Sequence, residues 1–151
     1  LYNNHYQIVQ SPGNVMIMAE MVHDARIIRL GGSHPADNIT PWLGDSIGHW
    51  EGNTLVVETT NFNPQHTFRG GLRHFFAITP DAIVTERFTR ISKDQILYQF
   101  YVDDPDVYRQ VWAGEMPLRS VQDKIYEYAC HEGNYSMANI LAGAREEEKR
   151  R

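Results

Sequence analysis

The chain has 151 residues, of which 42% are hydrophobic and 22% are charged, proportions that are typical of a globular protein and argue against a disordered or fibrous one. Its net charge of −5 disfavours nucleic-acid binding, which depends on clustered Lys and Arg side chains. No apolar run approaches the roughly 18 residues that a membrane-spanning helix requires, so the sequence predicts no membrane partner.

The first part of the chain predicts short strands separated by turns. Tyr6–Gln10 and Val15–Met21 favour a hairpin around the turn residues Ser11–Asn14, and the isoleucine-rich segment Ala25–Leu30 favours a third strand. Residues 33–43 carry two prolines and no periodicity, which predicts a loop longer than the usual connection. Loops of this length in compact domains are often functional.

The clearest local pattern is a hairpin formed by Asp45–Glu51 and Thr54–Phe62. The intervening Gly52-Asn53 suits a two-residue turn. If Glu51 faces Thr54, alternation along the strands separates the side chains onto two faces, and a slip of one residue would exchange those faces. The face predicted to be interior carries Ser46, Gly48, Trp50, Leu55, Val57 and Thr59, and the other carries Asp45, Ile47, His49, Val56, Glu58 and Thr60.

The second part of the chain continues the β pattern and then changes period. After a predicted loop at residues 63–71, strands are predicted at Leu72–Ile78, Ala82–Ile91, Gln95–Val102, Val107–Met116 and Lys124–Glu132. Asn134 is a suitable N-cap for a helix of about residues 135–147. The apolar stripe of that helix is expected to pack on the sheet, and it consists of Met137, Ile140, Leu141 and Ala144.

These elements predict an all-β fold in a single domain over residues 1–151. Strands joined mostly to their sequence neighbours favour an antiparallel up-and-down meander, closed as a calycin-like barrel or strongly curled as a sheet, with one short C-terminal α-helix. A two-sheet sandwich is the alternative. A small barrel can hold one small ligand in its interior.

Two blocks of the sequence resemble a large family of uncharacterised bacterial proteins that is frequent in environmental genomes. The blocks are GDSIGHWEGNTLVVETTNF at residues 44–62 and YEYACHEGNY at residues 126–135. Glu86-Arg87-Phe88 and Asp103-Asp104-Pro105 fit as well, so the resemblance covers almost the whole chain, although Asn53 stands where the relatives more often have Asp.

The resemblance implies a periplasmic or secreted setting, because members of that family commonly look exported. Many members also have an additional N-terminal stretch, which implies that this chain is a short form or the C-terminal portion of a longer protein. The family has no established function, so the resemblance implies no activity. If strands upstream are missing, a neighbouring chain could cover the exposed sheet edge and give a homodimer.

Candidate acid/base residues come from the last predicted strand and the central hairpin. In a regular strand Glu127 and His131 share a face, so the carboxylate could orient the imidazole as a general base, and His49 or Asp45 could face the same space. The structural alternative is that Glu127 and Glu132 pair with arginines and that His131 caps the following helix.

Aromatic residues provide candidates for a ligand-binding surface. Several Trp and Tyr side chains could line a concave pocket, or they could simply form the core. The expected wall residues are Trp50, Trp112, Tyr98 and Tyr128, with Trp42 also among the aromatic candidates, and Arg87 or His131 would fix a polar end.

No metal, cofactor or covalent chemistry is predicted. None of the seven histidines has another at a spacing typical of paired ligands, and Cys130 is the single cysteine. No phosphate-cradling glycine loop is present. The first functional hypothesis is therefore binding of an apolar or carbohydrate-like small molecule. The second is a lyase, isomerase or hydratase with a His/Glu pair, and the third is a structural or interaction module of an exported protein.

Overall fold

The computed structural model describes residues 5–65, 67–70, 74–127, 129 and 132–150, with side chains described outside 67–70 and 74–77. The helix α1 spans Ser136–Glu148. The strands are β1 (Tyr6–Ser11), β2 (Asn14–Ala19), β3 (Ala25–Leu30), β4 (Asp45–Glu51), β5 (Thr54–Thr60), β6 (Thr67–Gly70), β7 (His74–Ala77), β8 (Ile83–Arg90), β9 (Gln95–Asp103) and β10 (Trp112–Arg119).

Eight of these strands form one curled sheet, a half-barrel, in the order β1-β2-β3-β4-β5-β8-β9-β10, which confirms the all-β fold with one C-terminal helix. The pairing is antiparallel except between β3 and β4, which run parallel. The connection over residues 31–44 is long enough for the crossover that a parallel pair requires. The sheet is therefore not a pure up-and-down meander, because this crossover joins two parallel strands where antiparallel neighbours were predicted.

The register predicted for the central hairpin is confirmed. Glu51 pairs with Thr54 and Trp50 pairs with Leu55. The buried side of the hairpin is also the predicted one, although Trp50 at its end stays exposed. Gly48 is required in β4, because a Cβ there would lie 2.9 Å from the Cγ2 atom of Ile28.

The hydrophobic core lies inside the curl, on what we call the concave face of the sheet. Paired residues of neighbouring strands lie on the same face of a sheet, so the pairing registers identify the residues of this face in all eight strands. Its centre is formed by Val15, Ile17, Ile28, Leu55 and Val57, with Leu30 and Phe88 packed against them. A row of aromatic rings continues the face towards β10, with centroid separations of 4.9 Å for Phe88–Tyr98, 5.8 Å for Tyr98–Phe100 and 5.4 Å for Phe100–Trp112.

The segment between β5 and β8 differs from the prediction. The predicted strand at Leu72–Ile78 is present as β7 over residues 74–77, and residues 72–73 lie outside the described part of the chain. β7 pairs antiparallel with the short strand β6 in a separate sheet. β6 lies in the stretch predicted to be a loop. Four-residue strands give too few positions for alternation to show in the sequence.

The predicted strand Val107–Met116 begins too early. The carbonyl of Asp104 accepts hydrogen bonds from the N–H groups of Val107 and Tyr108, which holds this region in a turn. The buried carboxylate of Asp104 in turn accepts bonds from the N–H and hydroxyl of Thr79 at 2.8 and 2.9 Å. The strand β10 starts after this turn, at Trp112.

The predicted strand Lys124–Glu132 is wrong for its described residues. Residues 124–127, 129 and 132 adopt no strand, and Glu127 is exposed. The N–H of Ser120 bonds to the carbonyl of Asp94 just past the end of β10, and no described strand pairs with the segment that follows. An alternating pattern cannot form a strand without a partner.

The helix occurs where predicted, but it does not pack on the sheet. None of its residues is buried, and Met137, Ile140 and Leu141 are exposed. Tyr135 occupies the N-cap position, whereas the side chain of Asn134 accepts a hydrogen bond from the N–H of Ser136 at 3.1 Å. The predicted contact between the apolar stripe and the sheet is therefore wrong.

Candidate functional site

A cleft opens where the parallel pairing of β3 and β4 stops. The ladder joins only Ile28–Leu30 to Ser46–Gly48, so the first residues of β3 separate from the loop that leads into β4. The cleft has a volume of about 460 Å³, within the range of small-molecule sites. Its polar lining is provided by Asp24, Arg26, Arg29, Asp45 and Ser46.

A tight turn holds an indole ring at this cleft. The N–H of Gly44 donates to the carbonyl of Pro41 at 3.0 Å, which places Trp42 at the corner of the turn. Trp42 lines the cleft and is 53% exposed. Gly44 has a φ of +71°, and a Cβ there would lie 2.7 Å from the carbonyl oxygen of Thr60, so only glycine allows the turn to approach β5 so closely.

The floor of the cleft reaches a buried polar network on the concave face. Arg26 donates to both carboxylate oxygens of Glu86, with Nη2–Oε1 at 3.0 Å. The hydroxyl of Tyr98 donates to Glu86 Oε1 at 2.8 Å. Arg26 Nη1 also lies 3.4 Å from Thr59 Oγ1, which shares a 2.8 Å hydrogen bond with Ser46 Oγ. Side chains from five strands thus meet below the cleft.

Burial and charge act together in this network. Burial acts to lower the pKa of Arg26, but the charge of Glu86 and its hydrogen bonds outweigh that effect and raise this pKa above the ordinary value. Burial and then the charge of Glu86 raise the pKa of Tyr98, and the same causes raise that of Tyr6. Arg26 therefore stays charged and the phenol of Tyr98 stays neutral within this network.

A second polar cluster extends outwards from the cleft, and two of its members, Arg29 and Asp45, line it. Asp45 Oδ2 accepts hydrogen bonds from Arg29 Nη2 and pairs with His34 Nδ1, each at 2.7 Å. The other ring nitrogen of His34 lies 3.3 Å from Glu58 Oε1 but makes no hydrogen bond with a described residue. This arrangement fixes the imidazole by its Nδ1 atom and turns its Nε2 atom towards Glu58.

The predicted acid/base residues that the structure describes lie apart from one another. Asp45 lines the cleft, but its imidazole partner is His34 rather than His49, which is exposed and lies 3.3 Å from Glu51. His49 instead borders a depression of about 230 Å³ on the convex face, smaller than typical ligand pockets. Glu127 is outside the cleft lining, and His131 lies outside the described residues.

The predicted ligand-binding residues that the structure describes are also dispersed. Tyr98 belongs to the buried network, whereas Arg87 pairs with Glu51 at 2.8 Å on the convex face. Trp50 is 47% exposed, so the expectation that it is a core residue is wrong. Trp112 packs edge-on against Phe100 and Tyr108, and Tyr128 lies outside the described residues. Of the aromatic candidates within the described residues, Trp42 is the one that lines the cleft.

Sequence reasoning missed Arg26, Glu86 and His34. A usable signal existed for Glu86, because it alternates with Val84 and Phe88 on what becomes the buried side of β8. A charged residue in such a position needs a partner. His34 lies in the predicted long loop at residues 33–43, but no pattern in the sequence pairs it with Asp45.

Comparisons with protein-family models, curated proteins and solved structures find no match. The resemblance to the bacterial family therefore remains a prediction.

Across the described part of the chain, no three His, Cys, Asp or Glu side chains are arranged to hold a metal ion. None of the described helices is both long and apolar enough to cross a membrane.

Proposed function

We propose that the cleft between β3 and β4 binds a small, neutral, polyhydroxylated molecule of the carbohydrate type. The observation that supports this most directly is the exposed ring of Trp42 beside paired carboxylates and guanidinium groups. A sugar ring offers C–H groups that pack on an indole face and hydroxyls that both donate and accept hydrogen bonds. The lining presents all of these partners.

The charges around the cleft favour a neutral ligand over an anionic one. Each guanidinium of the lining is already paired with a carboxylate, Arg26 with Glu86 and Arg29 with Asp45. A phosphate or carboxylate ligand would have to displace one of these partners and leave it uncompensated, which is costly for a buried group. Hydroxyl groups can share the existing donors and acceptors without breaking the pairs.

Titration with a panel of neutral mono- and disaccharides, followed by native mass spectrometry and calorimetry, tests the proposal. We expect at least one saccharide to bind, and Trp42→Ala to weaken that binding by about tenfold or more, which corresponds to about 1.4 kcal/mol. The matched control is Trp50→Ala, because Trp50 is similarly exposed but lies outside the cleft lining. Absence of saccharide binding, or equal losses in both variants, would contradict the proposal.

The His34–Asp45 pair supports a second candidate function, acid/base catalysis on a molecule bound in the cleft. The carboxylate orients the imidazole through Nδ1, as a general base requires. Its Nε2 atom is buried beside Glu58, however, and His34 is not part of the cleft lining, which favours binding over catalysis.

Mass spectrometry of a bound saccharide after incubation with the protein separates the two candidates. An acid/base enzyme would yield a product with the wild type and none with His34→Gln, in which the imidazole is absent. If neither protein alters the saccharide, the catalytic candidate fails and the binding function stands. Product formation by both proteins would exclude His34 as the base.

A further inference from the structure

The outer edge strand β1 carries no charged side chain over its whole length. Its residues are all exposed, including the apolar side chains of Tyr6, Ile8 and Val9. An exposed edge strand of this kind presents unpaired backbone groups that can pair with another strand. Among the described residues, β1 pairs only with β2.

The hydrogen-bonding alternation identifies the backbone groups that point outwards. The N–H of Glu20 donates to the carbonyl of His5 at 3.0 Å, so the backbone N–H and C=O groups of the odd-numbered residues of β1 point towards β2. The N–H and C=O groups of Tyr6, Ile8 and Gln10 therefore point away from the sheet. The middle residue of these three is Ile8, so the outward groups are arranged symmetrically about it.

The opposite edge of the same sheet is protected in a way that β1 is not. β10 carries Glu115 and Arg119, and its Pro117 has no N–H group to offer an incoming strand. Charged residues and proline are the usual means of blocking edge-to-edge association. Among the described residues, β1 is therefore the edge of the half-barrel that lacks this protection.

We propose that two copies of this chain associate through antiparallel pairing of β1 with its counterpart, about a two-fold axis at Ile8. In this register Ile8 faces Ile8 of the second copy, Tyr6 faces Gln10, and Gln7 faces Val9. The three outward residues of each copy would exchange about six backbone hydrogen bonds. Since β1 contains no charge, self-pairing places no like charges opposite each other.

A second copy fits this edge because a two-fold pairing makes each contact twice with the same residues. The apolar side chains of Ile8 and Val9 would be partly covered on opposite faces of the joined sheet. The proposed cleft remains open in the dimer, because it lies between β3 and β4, on the inner side of β2. The dimer can therefore form whether or not the cleft binds a ligand.

Analytical ultracentrifugation of the full 151-residue chain from micromolar to millimolar concentration tests the association. We expect a reversible monomer–dimer equilibrium in the wild type. Ile8→Lys places two positive charges together on the axis and should raise the dissociation constant by about tenfold or more, whereas the matched Ile8→Thr should change it by less than about tenfold. A monomeric wild type, or equal effects of the two variants, would overturn the proposal.

Disulfide cross-linking tests the register independently of affinity. In a Cys130→Ser background, Ile8→Cys puts two thiols opposite each other, at a Cα separation of about 5.5 Å that a disulfide can span. Val9→Cys is the matched control, because position 9 faces Gln7 of the second copy. We expect oxidation to give a covalent dimer with the first variant only, and circular dichroism should show that both are folded. Equal cross-linking of both, or none with Ile8→Cys, would exclude this register.

Discussion

The concave and convex faces of the sheet carry ion pairs of the same chemistry in very different surroundings. Glu86 and Arg87 are neighbours in β8, and their side chains point to opposite faces. Glu86 is buried against Arg26 and Tyr98, whereas Arg87 reaches the exposed carboxylate of Glu51. The two pairs should therefore differ in what they contribute to stability, because their surroundings differ.

The pKa shifts follow the same division. On the convex face, hydrogen bonds from Arg87 and His49 lower the pKa of Glu51. On the concave face, burial comes first among the causes that raise the pKa of Tyr98. Solvent screens the outer pair, so it should contribute little to stability, while removing one partner of the inner pair leaves an uncompensated charge in the core.

The largest expected effect comes from Glu86→Leu, which leaves Arg26 without its carboxylate. Urea unfolding should show a loss of about 4 kcal/mol, because a single buried charge is left unpaired. The double variant Arg26→Met with Glu86→Leu should recover most of that loss. The control Glu51→Leu removes the convex partner of Arg87 and should leave the unfolding midpoint unchanged. An equal shift in Glu51→Leu and Glu86→Leu would contradict the comparison of the two faces.

Neighbouring isoleucines of β3 provide an apolar version of the same test. Ile28 is 0% exposed on the concave face, and Ile27 is 52% exposed on the convex face. Ile28→Ala should lower the free energy of unfolding by about 3 kcal/mol because it leaves a cavity in the core. Ile27→Ala should cost less than about 1 kcal/mol. Similar losses in urea unfolding would mean that both faces are covered in solution.

Trp50 should give an intermediate effect, because it lies on the concave face but remains 47% exposed. We expect Trp50→Ala to destabilise the fold by about 2 kcal/mol, below the usual cost for a fully buried aromatic residue. Leu55 pairs with Trp50 and is buried, so Leu55→Ala should cost more in the same denaturation experiment. A larger loss for Trp50→Ala than for Leu55→Ala would place the indole in the core.

A smaller loss than that of Trp50→Ala should come at neutral pH from Tyr98→Phe, which removes the hydrogen bond to the Glu86 carboxyl group and should cost about 1.5 kcal/mol. The raised pKa means that the folded state holds the phenol proton more tightly than the unfolded chain does. This stabilisation is complete below the unfolded pKa of about 10 and is lost as the pH rises above it. The unfolding free energy should therefore fall less steeply above about pH 10 in Tyr98→Phe than in the wild type.

Tyr101→Phe is the matched control for that pH profile, because Tyr101 is exposed on the opposite side of β9. It should retain the wild-type slope. If Tyr98→Phe also retained that slope, the buried phenol would not be the group whose proton stabilises the alkaline fold.

Local patterns were sufficient to predict the hairpins. The β4–β5 register follows from strict alternation and a two-residue turn at Gly52-Asn53, and the β8–β9 hairpin follows from two predicted strands on either side of the turn residues 92–94. The same patterns could not predict the parallel contact of β3 with β4, because that contact depends on a long crossover. Helical periodicity identified α1 but carried no information about whether a partner would cover its stripe.

The candidate site was predictable only in fragments. Asp45 and Trp42 were identified from the sequence, one as a possible acid/base residue and the other as an aromatic lining residue. Arg26 and Glu86 lie 60 residues apart in the chain, and they meet only because the sheet curls. A contact of that kind is a property of the tertiary fold, which no window of local periodicity contains.

The parallel seam between β3 and β4 also has a consequence for the order of folding. The hairpins on either side of the seam need only short loops to close, whereas the seam requires ends separated by residues 31–44 to meet. Closing the longer loop costs more entropy, so we expect the seam to form after the hairpins. The cleft would then be completed late, and a local opening of the seam could admit or release a ligand while the hairpins stay intact.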